Sequence, residues 1–295
     1  MDDQLTRRQF LRRSGLAALS ASALAAPAAA VSRFRDRAAA EPAKRKVGVG
    51  LQLYTVRDDM AKDALGTVKA VAKMGYPAVQ MGRPWLPAQE LRKIFDDLGL
   101  AVCGFHVGFG ELQNSLPQLI DEAKTMGTDI LICPGLPEER VRDAVAWRET
   151  ARLYDEIGAK ARAQGIHVGH HNHTVEFERH EGKYGFDYLL DGTNPRNCGA
   201  ELDTCWAAWV KVDPAAYIRK HPGRFITLHL KDISRGANRS TAEVGEGILD
   251  WPAIFAAAES VGGTRWYIVE QDRCERPPLE SVRISLQHLR EWGKL

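Results

Sequence analysis

The sequence predicts a single α/β domain of the (β/α)8 barrel class, and three observations predict it. From Lys46 onward, short β-branched runs alternate with longer segments of helical period, and the alternation repeats eight times. Parallel strands joined by helices in that number close on themselves into a barrel ringed by helices. The stretch 46–295 also has the size such a barrel takes, about 250 residues. An open doubly wound sheet is disfavoured because no GxGxxG follows the first strand, and no Pro/Ser-rich linker divides the chain.

The strands read, in order, Val47 to Thr55, Ala78 to Met81, Ala101 to His106, Asp129 to Cys133, His167 to His173, Cys198 to Thr204, Phe225 to Lys231 and Trp266 to Glu270. Between them Asp63 to Met74, Ala88 to Leu98, Leu116 to Met126 and Arg140 to Ala163 carry apolar residues three and four apart, as one-sided helices do. Gly75, Gly99, Gly127 and Gly165 stand where helix C-caps belong.

Residues 1–40 read differently. Arg7-Arg8-Gln9-Phe10-Leu11 precedes an uncharged, Ala-rich run from Gly15 to Val31 that contains Ala26-Pro27-Ala28-Ala29-Ala30. This resembles a twin-arginine export signal with a small-residue cleavage site near Ala30. The run is too short and too weakly hydrophobic for a stable membrane span, so a protein exported to the periplasm and soluble after cleavage is expected. Composition is that of an ordinary globular protein, with 44% apolar and 26% charged residues. A net charge of +2, from 40 basic and 38 acidic side chains, offers nothing to neutralise a polyanion, so nucleic acid is excluded as a partner. The five cysteines lack any CxxC and cannot all pair; small core residues are expected.

Chemistry in a barrel gathers at the C-terminal ends of strands. The fifth strand ends in His170-His171-Asn172-His173-Thr174-Val175-Glu176-Phe177, the sixth in Glu201-Leu202-Asp203-Thr204, the seventh in His229-Leu230-Lys231-Asp232 and the eighth in Glu270-Gln271-Asp272. Taken singly, Asp203 reads as a helix cap, His106 as a core histidine and the fifth-strand histidines as a solvated cluster. Taken together, carboxylates and imidazoles from four neighbouring strands form the donor set of one divalent metal ion. Mn2+, Mg2+, Co2+ and Zn2+ all suit such a set.

The segments HHNHTVEF, ELDTCW, LHLKD and IVEQD, in this order, resemble the sugar phosphate isomerase/epimerase superfamily with its xylose isomerase-like barrel. The likeness runs from Lys46 to Leu295 and includes Gly245-Glu246-Gly247-Ile248-Leu249-Asp250-Trp251. It implies metal ligands at Glu176, Asp203, His229 and Glu270, with Glu176 and Glu270 as an acid/base pair moving a proton beside a carbonyl. Lys231 shares a strand face with His229 and is placed to donate to a developing oxyanion. His171 and His173, alternate on the fifth strand, are expected to meet substrate hydroxyls, and His106 and Gln52 to reach the same rim. Arg235 stands where epimerase relatives bind substrate. Two positions depart from the pattern: Trp206 replaces the histidine that keto-sugar epimerases carry three residues after the metal aspartate, and Gln80 replaces a frequent glutamate. Trp206, with Tyr54, Trp85 and Trp209, is a candidate platform for a sugar ring.

Phosphorylated sugars are cytoplasmic, so export points to a free sugar, a keto-sugar or a glycoside as the small-molecule substrate. A 3-keto-glycoside made by an oxidoreductase partner is one version. The expected activity is therefore a metal-dependent isomerase, epimerase or lyase. The alternatives are a non-catalytic sugar-binding barrel and a metal-free hydrolase using the carboxylates of Glu176 and Glu270. The apurinic endonuclease branch of the same fold is excluded by the charge balance and the export signal. Oligomeric state is not readable.

Overall fold

The β-branched runs become eight parallel strands in the computed structural model, which describes residues 46–236, 239–261 and 263–295. The expected export signal lies outside the described residues. The strands are Gly48–Gln52, Ala78–Met81, Ala101–His106, Ile130–Cys133, His167–His171, Cys198–Asp203, Phe225–Leu230 and Trp266–Val269. Each pairs with its neighbours in sequence, and the first pairs with the eighth, Gly48 opposite Trp266, so the sheet has no edge. Two short antiparallel ribbons decorate the loops, Arg179–His180 with Lys183–Tyr184 and Asp232–Ile233 with Thr241–Ala242.

Several strands stop short of their expected ends because polar side chains take over the backbone there. Gln52 accepts from the Tyr54 N–H and starts a 3-10 turn at Leu53–Val56. Asp203 ends the sixth strand by capping the next helix, accepting from the Trp206 N–H at 2.9 Å. Asp143 does the same for Ala144–Arg162, which detaches Glu138–Arg140 as a separate turn. Helices Ala64–Met74 and Leu116–Met126 end on Gly75 and Gly127 in the left-handed region, at φ 96° and 75°, where glycine alone is unstrained.

The main apolar core lies between barrel and helices, with Trp147, Tyr154, Phe95 and Phe186 among its fully buried side chains. A smaller cluster of Ala78, Cys103 and Ile268, flanked by Trp266, forms a separate layer. Ala78 and Ile268 lie two residues before Gln80 and Glu270, so period-two alternation makes this apolar layer the floor beneath a polar one. Cys103, Cys133, Cys198, Cys205 and Cys274 are all free, and all but Cys274 are buried. Among the described residues no helix is long and apolar enough to cross a membrane.

Candidate metal centre at the barrel mouth

Alternation along the sixth, seventh and eighth strands points Asp203, His229 and Glu270 into the barrel, all three buried. Glu270 Oε2 lies 3.5 Å and Asp203 Oδ2 4.0 Å from His229 Nδ1. Potential donor atoms from the three residues fall within 4.8 Å of one another. None of these three atoms has a hydrogen bond of acceptable geometry. The two oxygens are held by charge alone: Lys231 Nζ stands 2.9 Å from Asp203 Oδ2 and closer still to Glu270 Oε2. Three convergent buried donors, two oxygens and a nitrogen, fit a divalent ion. Asp203 serves both its readings at once, since Oδ1 caps the helix while Oδ2 faces the cluster.

Charge in this dry pocket is strongly organised. Burial alone would raise Glu270, but Lys231 and His229 outweigh it and hold the carboxyl well below its usual range. Asp203 is pushed up to about 6, by burial first and by the Glu270 charge as well, with Lys231 opposing. Burial would lower Lys231, yet Asp203, Glu270 and Asp272, whose Oδ2 is 2.5 Å away, keep it an ammonium. His229 shows the same balance, burial lowering it while Glu201 and Glu270 carry it to about 10.

A second layer lies beneath, around Glu201. Its Oε1 receives His106 Nε2 at 2.7 Å and has His229 Nε2 at 2.9 Å and His171 Nδ1 at 3.3 Å. Its Oε2 accepts from Gln80 Nε2 at 2.6 Å and Thr227 Oγ1 at 2.8 Å. His106, His171, Glu201 and His229 also lie close enough to hold an ion. Here, however, the imidazole nitrogens converge on a carboxylate oxygen, so Glu201 is the anion at the centre of its donors. Burial works against its charge, but His229 and His106 hold it well below the usual carboxylate range. Glu201 was not among the expected site residues, although its place two before Asp203 puts it on the same strand face.

Residues 68–292 match the family model described as the xylose isomerase-like TIM barrel. The chain belongs to this family. An inosose dehydratase of Geobacillus thermodenitrificans is 25% identical over 160 residues, 46% of this chain and 51% of that one. The chain thus spans about half the length of the curated relatives it matches. Among solved structures, a sugar phosphate isomerase/epimerase from Parabacteroides distasonis superposes with a TM-score of 0.71 at 23% identity, over 85% of this chain and 96% of that one. A D-allulose 3-epimerase from Methylomonas sp. gives 0.64 at 13%, over 83% and 97%. At these identities the structural likenesses establish the fold.

Within this xylose isomerase-like barrel the other expected site residues lie as follows. Glu176 is buried but apart from the Asp203, His229 and Glu270 cluster: Oε1 accepts from His170 Nε2 at 2.8 Å and Oε2 from the His173 N–H at 2.7 Å. His170 packs against Tyr154 and Phe186 of the outer helices, so Glu176 sits on the helix-facing side of the fifth strand. His171 and His173 face inward, with ring centroids 4.8 Å apart, and burial lowers both. The His106 ring stacks 5.3 Å from that of His229. Trp206 lies 6.0 Å from His173 and under Lys231 Nζ at 5.1 Å. Arg235 is exposed, its Nε bonded to the Glu246 carbonyl at 3.3 Å. Gln52, expected at the rim, is buried and bonded to Gln80, which is itself buried against His229. Trp85 packs on Phe95, while Tyr54 and Trp209 carry Arg57 and Arg239 on their faces.

Proposed function

We propose that this barrel is a divalent-metal-dependent lyase acting on a keto-sugar or 3-keto-glycoside. It removes the proton beside the carbonyl and expels the oxygen substituent on the next carbon as water or an alcohol. The observation that carries this reading is the asymmetry of the site: Glu270 and Lys231 stand together among Asp203 and His229, while Glu176 is committed elsewhere. An ion held by Asp203, His229 and Glu270, whether Mn2+, Mg2+, Co2+ or Zn2+, would polarise the substrate carbonyl and acidify the neighbouring C–H. Glu270, kept ionised beside Lys231, takes that proton, and its electron pair becomes the new carbon–carbon double bond as the C–O bond breaks. Lys231 donates to the leaving oxygen. Epimerisation would need a second acid/base group on the opposite face of the substrate. Glu176, the expected one, reaches the site only by leaving His170 and the His173 main chain. The inosose dehydratases matched over part of the chain agree in type with elimination.

His171 and His173, with His106 beneath, meet sugar hydroxyls, and Trp206 offers its face to a ring. Arg235 meets the more distant parts of the substrate. An oxidoreductase supplies the keto group. Residues 1–40 direct export to the periplasm; lysine at both Arg7 and Arg8 is expected to retain the protein in the cytoplasm, and unchanged export would refute this.

Incubation with a 3-keto-glucoside and Co2+ in D2O separates the reactions. Elimination releases the aglycone and is abolished by chelation. Deuterated epimer without release would contradict the proposal, as would activity that survives exhaustive chelation.

A further inference from the structure

The polar layer under the metal cluster has hydrogen-bond directions that can be read without assigning any charge. The main-chain N–H of Tyr54 can only donate, and it meets Gln52 Oε1 at 3.2 Å. The Gln52 amide therefore turns its nitrogen the other way, where it donates to Gln80 Oε1 at 2.8 Å. Gln80 in turn directs its nitrogen to Glu201 Oε2. The Gln80 oxygen so oriented is the atom that faces His229 Nε2, at 2.6 Å. An amide oxygen offers lone pairs only, so Nε2 of His229 must carry a hydrogen. Whenever the ring is neutral, as a metal ligand must be, its free lone pair is therefore on Nδ1, the atom aimed at Asp203 and Glu270.

We propose that Gln80, oriented by Gln52, is a positioning residue that locks the His229 ring in the Nε2–H tautomer and so presents Nδ1 to a divalent metal. The inference rests on the metal-binding reading above. Both glutamines are almost fully buried, Gln52 at 2% and Gln80 at 0% exposure, so bulk water does not compete for these bonds. Glu201 Oε1 also approaches Nε2, at 2.9 Å, but it is the Gln80 oxygen that lies in hydrogen-bonding direction. Outer partners of metal-bound histidines are worth about 10–100-fold in metal affinity, and with Glu201 still nearby the lower end applies here.

The test compares the wild type with Gln80→Leu and Gln52→Leu. Zn2+ affinity is measured by competition with a chromophoric chelator, and 15N NMR of the Zn2+-loaded protein reports the His229 ring. The expected wild type binds Zn2+ through His229 Nδ1 and shows a slowly exchanging Nε2 proton. Gln80→Leu is expected to weaken Zn2+ by about tenfold and to lose protection of that proton, with an unchanged circular dichroism spectrum. Gln52→Leu frees the Gln80 amide to turn and shifts both readouts the same way to a smaller extent; it decides the matter alone if Gln80→Leu does not fold. Coordination through Nε2, or Zn2+ affinities of both variants equal to wild type, overturns this inference and leaves the metal reading standing. A wild type that binds no Zn2+ overturns both.

Discussion

Both oxygens of Glu176 are taken, one by His170 and the other by the His173 main chain, in a site with no solvent access. Burial lowers His170, but Cys133 and the hydrogen bond that its Nε2 donates to Glu176 carry it to about 9 against an ordinary 6.5. A histidine raised on folding adds stability that is complete below about pH 6.5 and is lost as pH rises through the folded value. The metal-free protein should therefore lose Tm between pH 6.5 and 9. Glu176→Gln should lower stability by about 1–3 kcal/mol at pH 6.5 and flatten that slope. An unaltered pH profile in the variant would show that the pair does not carry it. From sequence Glu176 reads as a rim carboxylate because it closely follows a strand. Its direction is set by the Val175–Phe177 turn and by His170 facing outward, and neither turn geometry nor the partner across it is encoded by strand periodicity. Glu201 was legible by that periodicity alone, two residues from Asp203, but its role appears only when Gln80, His106 and Thr227 converge on it from other strands.

At the level of elements, Asp232 explains the stretch Gly245 to Trp251 that the sequence marks as a family feature. Next to Lys231 but on the other strand face, its carboxylate accepts from the N–H groups of Ile233, Gly245 and Leu249 and from Trp251 Nε1 at 2.7 Å. One buried anion thus ties the loop after the seventh strand to the start of helix Trp251–Val261. A Cβ on Gly247 would lie 2.1 Å from Asp232 Oδ1 and 2.3 Å from the Ile233 carbonyl, closer than real contacts allow. Gly247→Ala should cost about 1–3 kcal/mol, read as a lower denaturation midpoint; an unchanged midpoint would mean that the loop repacks freely. The strands were legible as short apolar, β-branched runs buried on both faces, and the helices between them because each has one apolar face against the core. Their ends were not, since Gln52, Asp143 and Asp203 terminate or start elements through single side-chain bonds to backbone.

Across the whole molecule, barrel closure is what builds the site. Gln80 and His229 are 149 positions apart, yet meet at 2.6 Å because the second and seventh strands face each other across a closed sheet. The eightfold alternation announced that closure, and strand-end chemistry pointed to four neighbouring strand ends, within which the family resemblance implied Glu176, Asp203, His229 and Glu270. The position of Lys231 among three carboxylates was not readable, because it depends on the rotamers of four long side chains from three strand ends. The same packing leaves Arg235 outside the cluster on an exposed loop. The most direct measurement of the central claim is the metal content of the purified protein, taken beside Asp203→Ala, His229→Ala and Arg235→Ala. The account predicts one divalent ion per chain, lost in the first two variants and kept in the third. A wild type that takes up no ion, or an ion that persists after His229→Ala, would contradict it.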